Sequence, residues 1–277
     1  MHSNTLATTV ASTQVQRCLN CGVESGGKYC PNCGQKKFDR HDLTVKHFFG
    51  HLVHEFTHLD SNKIIDTMRA LLFKPGLLTE EYLAGRKGRY INPVRVYLTI
   101  SALYFLFAWS AILNIRGFDF KNFAAQKWFI TKAQAQNVEP RVFAETLNRK
   151  YEKYTAVMRF GSILVSGLFL SALYRGARKY YAEHLFFSLH FYSFDFVLRC
   201  LLTSALILAS KMSWNLPIDM IYLFYPLAFI YLNVALQQVY KESKAKTFFK
   251  AAALLICETA LFYIVVGAGA FLTFALA

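Results

Sequence analysis

Long apolar stretches separated by short basic segments dominate the chain after residue 95. A helix needs about 20 apolar residues to cross the hydrocarbon of a bilayer. The stretch 160–174 is shorter, but Arg159 and Arg175 at its ends can extend their charged groups to the interface. The pattern predicts an all-α integral membrane protein with about five transmembrane helices. The predicted spans are residues 96–115, 160–174, 184–210, 220–240 and 250–277.

The composition agrees with the pattern. The 277 residues are 55% hydrophobic, with a mean hydropathy of +0.27, which is too apolar for an ordinary soluble domain. The net charge is +14, but the basic residues flank the apolar stretches, as the positive-inside rule expects of a membrane protein. The lipid bilayer is therefore the expected partner, and no nucleic acid is expected.

The short loops predict the orientation. Segments 174–183 and 240–250 are basic, whereas 211–216 holds a single lysine. Because basic short loops stay in the cytoplasm, the N-terminus is predicted to be cytoplasmic and the C-terminus extracytoplasmic. The loop 116–157 is basic too, but long loops translocate largely regardless of charge.

Residues 92–277 are predicted to form the transmembrane bundle, which includes this long loop. The loop contains a second pattern. From Pro140 onward, apolar residues recur at helical spacing. An amphipathic helix is predicted there, with these residues on one side: Phe143, Leu147, Tyr151 and Tyr154.

Two Cys-x-x-Cys pairs follow a polar N-terminal tail. Residues 1–16 have no apolar core of a signal peptide and are predicted to be disordered. Residues 17–40 are predicted to form a zinc ribbon, since four thiolates at this spacing suit tetrahedral Zn²⁺. The alternative, two disulfides, is disfavoured in a reducing cytoplasm. One structural zinc per chain is expected, bound by Cys18, Cys21, Cys30 and Cys33.

Residues 41–91 are predicted to be amphipathic juxtamembrane helices. Lys74-Pro75-Gly76 should end one helix, and Thr79 is predicted to cap the next. Basic residues come after this second helix. Two interpretations of them stay open: they contact anionic lipid headgroups, or they serve only as a topology signal. They are Arg86, Lys87 and Arg89.

Several motifs together resemble a known family. They are CLNCG and YCPNCGQ, LDSNKIIDTMRALLFKPG, EYLAGRKGRYINPVRVY and EHLFFSLHFYSF. With these, the chain resembles bacterial membrane proteins described as domain of unknown function 3667, which join a zinc ribbon to a transmembrane bundle. The resemblance implies a shared fold and a bacterial inner-membrane location. It implies no activity.

The stretch HEFTH, residues 54–58, matches the zinc-binding helix motif of metalloproteases. On a helix over 43–59, its histidines share a polar face opposite an apolar one, and a Glu beside one of them arises easily by chance. Glu80 or Glu81 would be the third ligand that a protease needs. We expect a polar face without catalysis, with a second metal site at His51, His54 and His58 as an alternative.

The third predicted span carries an unusual polar face. Asp195 and Arg199 are spaced to form an ion pair, and Glu258 in the last span is another candidate partner for Arg199. Ionisable groups at this depth are costly and often functional, but they also hold bundles together, so both roles stay open. The candidate cluster is Glu183, His184, His190, Asp195, Arg199 and Glu258.

Three classes of function fit this sequence. The first is a membrane-anchored adaptor or sensor, not an enzyme, whose ribbon and basic helices dock a cytoplasmic protein partner or anionic lipid. The second is a small transporter or channel, which should show a polar cavity reaching the membrane centre. The third is a membrane-embedded metal-dependent enzyme, either a protease at HEFTH or a lipid-acting enzyme at Glu183, His184 and His190.

Overall fold

The computed structural model describes residues 16–37, 61–109, 119–177, 180–212 and 220–277. The described residues are mostly helical. The strands are β1 (Gln16–Arg17) and β2 (Glu24–Ser25), and a 3-10 helix spans Phe120–Phe123. The helices are α1 (Ser61–Phe73), α2 (Leu77–Leu83), α3 (Pro93–Trp109), α4 (Lys127–Ala135), α5 (Pro140–Leu173), α6 (Tyr181–Lys211), α7 (Met220–Tyr240) and α8 (Lys244–Ala275).

Three helices are long and apolar enough to cross a membrane, judged by length and composition: α5, α6 and α8. The apolar part of α3, Pro93–Leu106, is shorter. Helix α7 has 21 residues but is not among the three. The helical fold with membrane-spanning helices is thus supported, while five spans are not confirmed.

Helix α5 differs from the prediction. Its 34 residues form one continuous helix, about 51 Å long at 1.5 Å per residue. The predicted span at 160–174 and the amphipathic helix from Pro140 are therefore a single element. No proline follows Pro140 within the helix, so no backbone hydrogen bond is lost where the pattern changes from amphipathic to apolar.

The main core joins α1, α2, α3, α6 and α7 with parts of α5 and α8. Tyr104 of α3 stacks on Phe196 of α6 with ring centroids 4.5 Å apart. Gly76, before α2, has φ +83° and lies so close to α7 that an added Cβ would be 2.7 Å from the carbonyl oxygen of Ala235. The short helices before the first apolar helix thus pack into the bundle.

A second, smaller core lies at the other end of α5. It contains Phe129 and Ala133 of α4, Phe143 and Leu147 of α5, and Ala270 of α8. The amphipathic face predicted from Pro140 is buried here, with Tyr154 only partly covered. The segment 119–139 therefore folds back onto α5 and α8.

The ribbon is a two-stranded antiparallel sheet with two tight turns. Gln16 pairs with Ser25, and Arg17 with Glu24. Gly22 and Gly34 follow the second cysteine of each pair with φ +77° and +69°, a left-handed conformation that favours glycine. These turns bring the two cysteine pairs face to face.

Candidate functional site

The four ribbon cysteines form one compact cluster. Their sulfur atoms all lie within 4.8 Å of one another. The Sγ atoms of Cys18 and Cys33 are 3.6 Å apart, and those of Cys21 and Cys30 are 3.5 Å apart. A tetrahedron with ~2.3 Å metal–sulfur bonds has edges of about 3.8 Å, so the cluster fits a metal ion. All six cysteines of the chain are free, so the disulfide alternative does not apply.

Backbone hydrogen bonds order the two cysteine turns and favour the thiolate form at two of the four cysteines. The amide of Gly22 donates to the carbonyl of Cys18 at 2.8 Å, and that of Gly34 to Cys30 at 2.9 Å. A backbone hydrogen bond from Val23 lowers the pKa of the Cys21 thiol to about 6. Another from Gln35 lowers the pKa of Cys33. The pKa of Cys30 is instead raised to about 11, because desolvation and hydrogen bonds with Cys21 and Cys33 outweigh the backbone hydrogen bond from Cys33. Since the thiolate is the metal ligand, Cys21 and Cys33 are the two cysteines whose shifts favour binding of a cation.

The ribbon is attached to the segment that leads into α3. The side-chain amide of Gln35 donates to the carbonyl of Gly85 at 2.7 Å. Its carbonyl oxygen accepts from the amides of Lys87 and Gly88, both at 3.0 Å. An added Cβ at Gly88 would lie 2.6 Å from Nδ2 of Asn20. We call these contacts of Gln35 and Asn20 with residues 85–88 the clasp.

The three basic residues of this segment face other side chains of the chain. Arg86 forms a two-pronged ion pair with Glu81, with Nε 2.7 Å from Oε2. Lys87 lies over the ring of Tyr82, 4.7 Å from its centroid. Arg89 approaches Asp66 only at 3.9 Å and keeps 64% of its side chain exposed. Of the three proposed headgroup contacts, Arg89 is thus the most accessible.

Helix α2 carries this arrangement into the bundle. Thr79 was expected to cap α2, but the helix begins at Leu77 after Gly76, and Thr79 is buried. Its hydroxyl lies 2.9 Å from Nδ1 of His190 on α6. The cap prediction is wrong because the glycine turn starts the helix earlier, which places the threonine on the face that packs on α6.

The polar residues of α6 do not form one catalytic group. His184 Nδ1 lies 2.7 Å from the hydroxyl of Tyr240 on α7. Glu183 accepts a hydrogen bond from the backbone of Tyr180, so it and His190 have different partners. The lipid-acting alternative at these residues stays a prediction.

A polar pocket lies between α5, α6, α7 and α8. Arg199 binds both oxygens of Asp195, at 2.8 and 3.2 Å. Glu258 of α8 accepts from the hydroxyl of Tyr192 at 2.5 Å, so its hydrogen bond goes to tyrosine rather than to Arg199. Arg159 of α5 completes the charged lining. The cavity has a volume of about 40 Å³.

The HEFTH stretch and the possible site at His51, His54 and His58 lie outside the residues that the structure describes. Their expected third ligands are described, however. Glu80 pairs with Lys241 at 2.9 Å, and Glu81 pairs with Arg86. Both carboxylates are thus engaged elsewhere, and the motif itself stays a prediction.

The sequence pattern does not mark two residues of the pocket and the clasp. The apolar pattern begins after Arg159 and therefore predicts that this residue lies at the end of a span. The continuous α5 instead places Arg159 at the pocket. Gln35 carries no local signal beyond its place two residues after Cys33. Its role follows only from the approach of residues 85–88.

A family model described as "Protein of unknown function (DUF3667)" matches residues 61–105. The matched segment covers α1, α2 and most of α3, including the turn that receives the clasp. It confirms the resemblance noted from the sequence. No curated protein and no solved structure matches the chain.

Proposed function

We propose that the protein is a multi-pass sensor or adaptor of a bacterial inner membrane, with a cytoplasmic N-terminal zinc ribbon. The observation that carries this proposal is the clasp. Gln35 follows the second cysteine pair and Asn20 lies between Cys18 and Cys21, so both clasp residues belong to the metal-binding turns. A change in metal occupancy would therefore act directly on residues 85–88.

The clasp is continuous with the bundle. Tyr82 of α2 contacts Phe186 of α6 edge to face, with centroids 4.6 Å apart. Thr79 and His190 join the same two helices. A packed, hydrogen-bonded path of this kind can carry coupling between two sites. This path supports a sensor whose signal begins at the ribbon.

One contact between α6 and α7 agrees with the proposal of five spans. The contact between Tyr240 and His184 places the end of α7 beside the start of α6. Helix α7 must then return across the thickness that α6 has crossed, and its 21 residues reach about 31 Å. We propose that α3 and α7 complete the five spans, with the basic residues 241–250 on the cytoplasmic side.

The docking surface would be the ribbon together with the exposed basic side chain of Arg89. A protein partner fits this surface better than anionic lipid, because Arg86 is bound by Glu81 and Lys87 covers Tyr82. Of the three predicted headgroup contacts, this leaves one exposed arginine, worth about 1 kcal/mol near an anionic surface.

Hydrogen exchange on the full chain in nanodiscs tests the proposal. Chelation of the metal should speed exchange at the amides of Lys87 and Gly88, which donate to Gln35. Gln35→Ala should do the same with the metal still bound. Gln16→Ala, at an exposed ribbon position, is the matched control and should have no effect. Unchanged exchange at residues 85–88 after chelation would refute the sensor.

The polar pocket favours a second candidate function, a small transporter or channel. Its volume of about 40 Å³ is far below the ~300–1,000 Å³ of small-molecule sites. It holds a few waters at most, at ~10–15 Å³ each. A transported species would therefore have the size of water or a simple ion. Flux measured in proteoliposomes, with Asp195→Asn as the comparison, tests this candidate.

A further inference from the structure

We propose that Glu258 binds and releases a proton within the membrane, exchanging it with water held in the polar pocket. This inference deepens the second candidate function, because it names the proton as the species that the pocket receives. It does not depend on the proposed role of the ribbon or on a ribbon partner.

The pocket lies at one depth in three helices. Asp195, Arg159 and Glu258 are each 14 residues from the same-side end of their helix, counted as 181 to 195, 159 to 173 and 244 to 258. Fourteen residues of helix measure about 21 Å, within a hydrocarbon layer of about 30 Å. Charged groups at this depth are expensive and mark functional paths by default.

Glu258 has one satisfied oxygen and one unsatisfied oxygen. Its Oε2 accepts from the hydroxyl of Tyr192 at 2.5 Å. Its Oε1 is buried and has no partner in hydrogen-bonding geometry among the described residues. A buried carboxylate oxygen without a donor is costly, whereas a cavity beside it with room for a few waters supplies one.

The other acidic group of the pocket is already neutralised. Both oxygens of Asp195 accept from Arg199, whose guanidinium also lies 4.0 Å from the ring centroid of Phe224. Both oxygens of Asp195 are thus occupied, which leaves Glu258 as the pocket carboxyl group with an oxygen that has no donor.

Arg159 supplies the opposing charge. Its guanidinium donates to the hydroxyl of Tyr104 at 3.3 Å and lies 5.0 Å from the ring of Phe262. No carboxylate lies within 4.0 Å of it in the part of the chain that the structure describes. Arg159 and Asp195 thus line the same cavity as Glu258 with opposite charges.

Further polar groups surround the exchange site. From α3 to α8, the titratable, charged and hydroxyl groups around Glu258 are Tyr104, Arg159, Ser162 and Ser166, Tyr192, Asp195 and Arg199, Tyr225, and Thr259. The hydroxyl of Ser166 also lies 3.1 Å from that of Ser188. Among the carboxyl groups of the pocket lining, Glu258 is the one with an oxygen that has no donor in hydrogen-bonding geometry.

The step itself balances simply. A hydronium ion in the cavity gives its proton to Oε1 of the ionised Glu258, a new O–H bond forms, and a water molecule remains. The pocket loses one negative charge, and the hydrogen bond from Tyr192 to Oε2 is kept. Release is the reverse. A proton path from either membrane face then needs only water that reaches the cavity.

Infrared difference spectroscopy of the full chain in nanodiscs tests the proposal. Spectra taken at low and high pH should show a carboxylic-acid carbonyl band that appears as pH falls and shifts in D₂O. The band should vanish in Glu258→Gln and persist in Asp195→Asn. Glu145→Gln, at an exposed carboxylate, is the matched control and should leave the band intact.

Tyr192→Phe provides a second measurement should Glu258→Gln fail to fold. Tyr192→Phe removes the hydroxyl that donates to Oε2. The carbonyl band of Glu258 should then shift in frequency, because a hydrogen bond to the carbonyl oxygen weakens the C=O bond. A wild-type spectrum without a titrating band, a band that survives in Glu258→Gln, or a band that ignores D₂O would overturn proton exchange. Flux through the protein in proteoliposomes is measured independently of the infrared band. A failure of transport is therefore distinguished from a failure of proton binding.

Discussion

Within residues 16–37 the only buried residue is Cys30, whereas the main core buries apolar side chains from seven helices. The ribbon has two strands of two residues each and no apolar interior. Its cysteine cluster takes the place of a core, because a metal bound by four thiolates fixes the two turns at once. The bundle instead buries a large apolar core, and some of its polar groups pair across helices, as Tyr192 does with Glu258. The comparison shows that one chain uses two unrelated sources of stability, joined at the clasp.

Removing the ribbon metal should have the largest effect. Structural zinc contributes about 10–16 kcal/mol to the folding of isolated ribbon-like peptides. Cys18→Ser should therefore release the metal and expose residues 16–37 to protease, while the thermal unfolding of the bundle is unchanged. Cys200→Ala, in α6, is the control and should retain one zinc per chain by elemental analysis. A ribbon that stays protease-resistant without metal would break the comparison.

The second largest effect is expected from breaking the ion pair between Asp195 and Arg199 in the bundle. Asp195→Ala leaves Arg199 buried without its partner, which costs about 3–5 kcal/mol, and Asp195→Ala with Arg199→Ala should recover part of that loss. Asp66→Ala is the surface control, since its pair with Arg89 is long and exposed and is worth ~0–1 kcal/mol. Unfolding in lipid nanodiscs measures the wild type, these three variants and the single Arg199→Ala variant. A double variant as unstable as the summed single variants would show that the pair adds nothing.

The glycine before α2 tests how tightly the matched family segment joins the bundle. Gly76→Ala places a Cβ 2.7 Å from the Ala235 carbonyl at φ +83°, and a strained residue of this kind costs about 1–3 kcal/mol. Gly161→Ala, inside α5, meets nothing within 4 Å and should be neutral or slightly stabilising. Equal unfolding temperatures for the two variants would mean that α2 does not pack closely on α7.

The smallest expected effect is that of pH on the contact between α2 and α7. The hydrogen bond from Lys241 lowers the pKa of Glu80 below its usual value. A lowered folded-state pKa stabilises the fold above the unfolded-state pKa, ~4.3, and this contribution is lost as pH falls through the lower folded value. The contact is largely exposed, so the loss should be ~0.2–1 kcal/mol. Glu80→Gln should remove this part of the pH dependence measured by unfolding, and an unchanged acid limb would contradict it.

The sequence determined the helical class, the apolar helices and the four-cysteine cluster. Each of these depends on residues close together in the chain: a run of apolar side chains, or cysteines at a fixed spacing. The buried face of α5, with Phe143 and Leu147, was predictable for the same reason, since one helical period places these residues together. The ion pair of Asp195 with Arg199 likewise needs only one turn of one helix.

Only the tertiary structure decided the contacts between distant segments. Glu258 and Tyr192 are 66 positions apart, and Gln35 and Gly85 are 50 positions apart, so no local pattern relates them. Thr79 looked like a helix cap because its neighbours in sequence allow it, but packing against His190 fixed its place. A periodic pattern specifies which face of a helix is buried, yet which partner meets that face depends on how the helices cross, and the sequence of one helix does not contain that information.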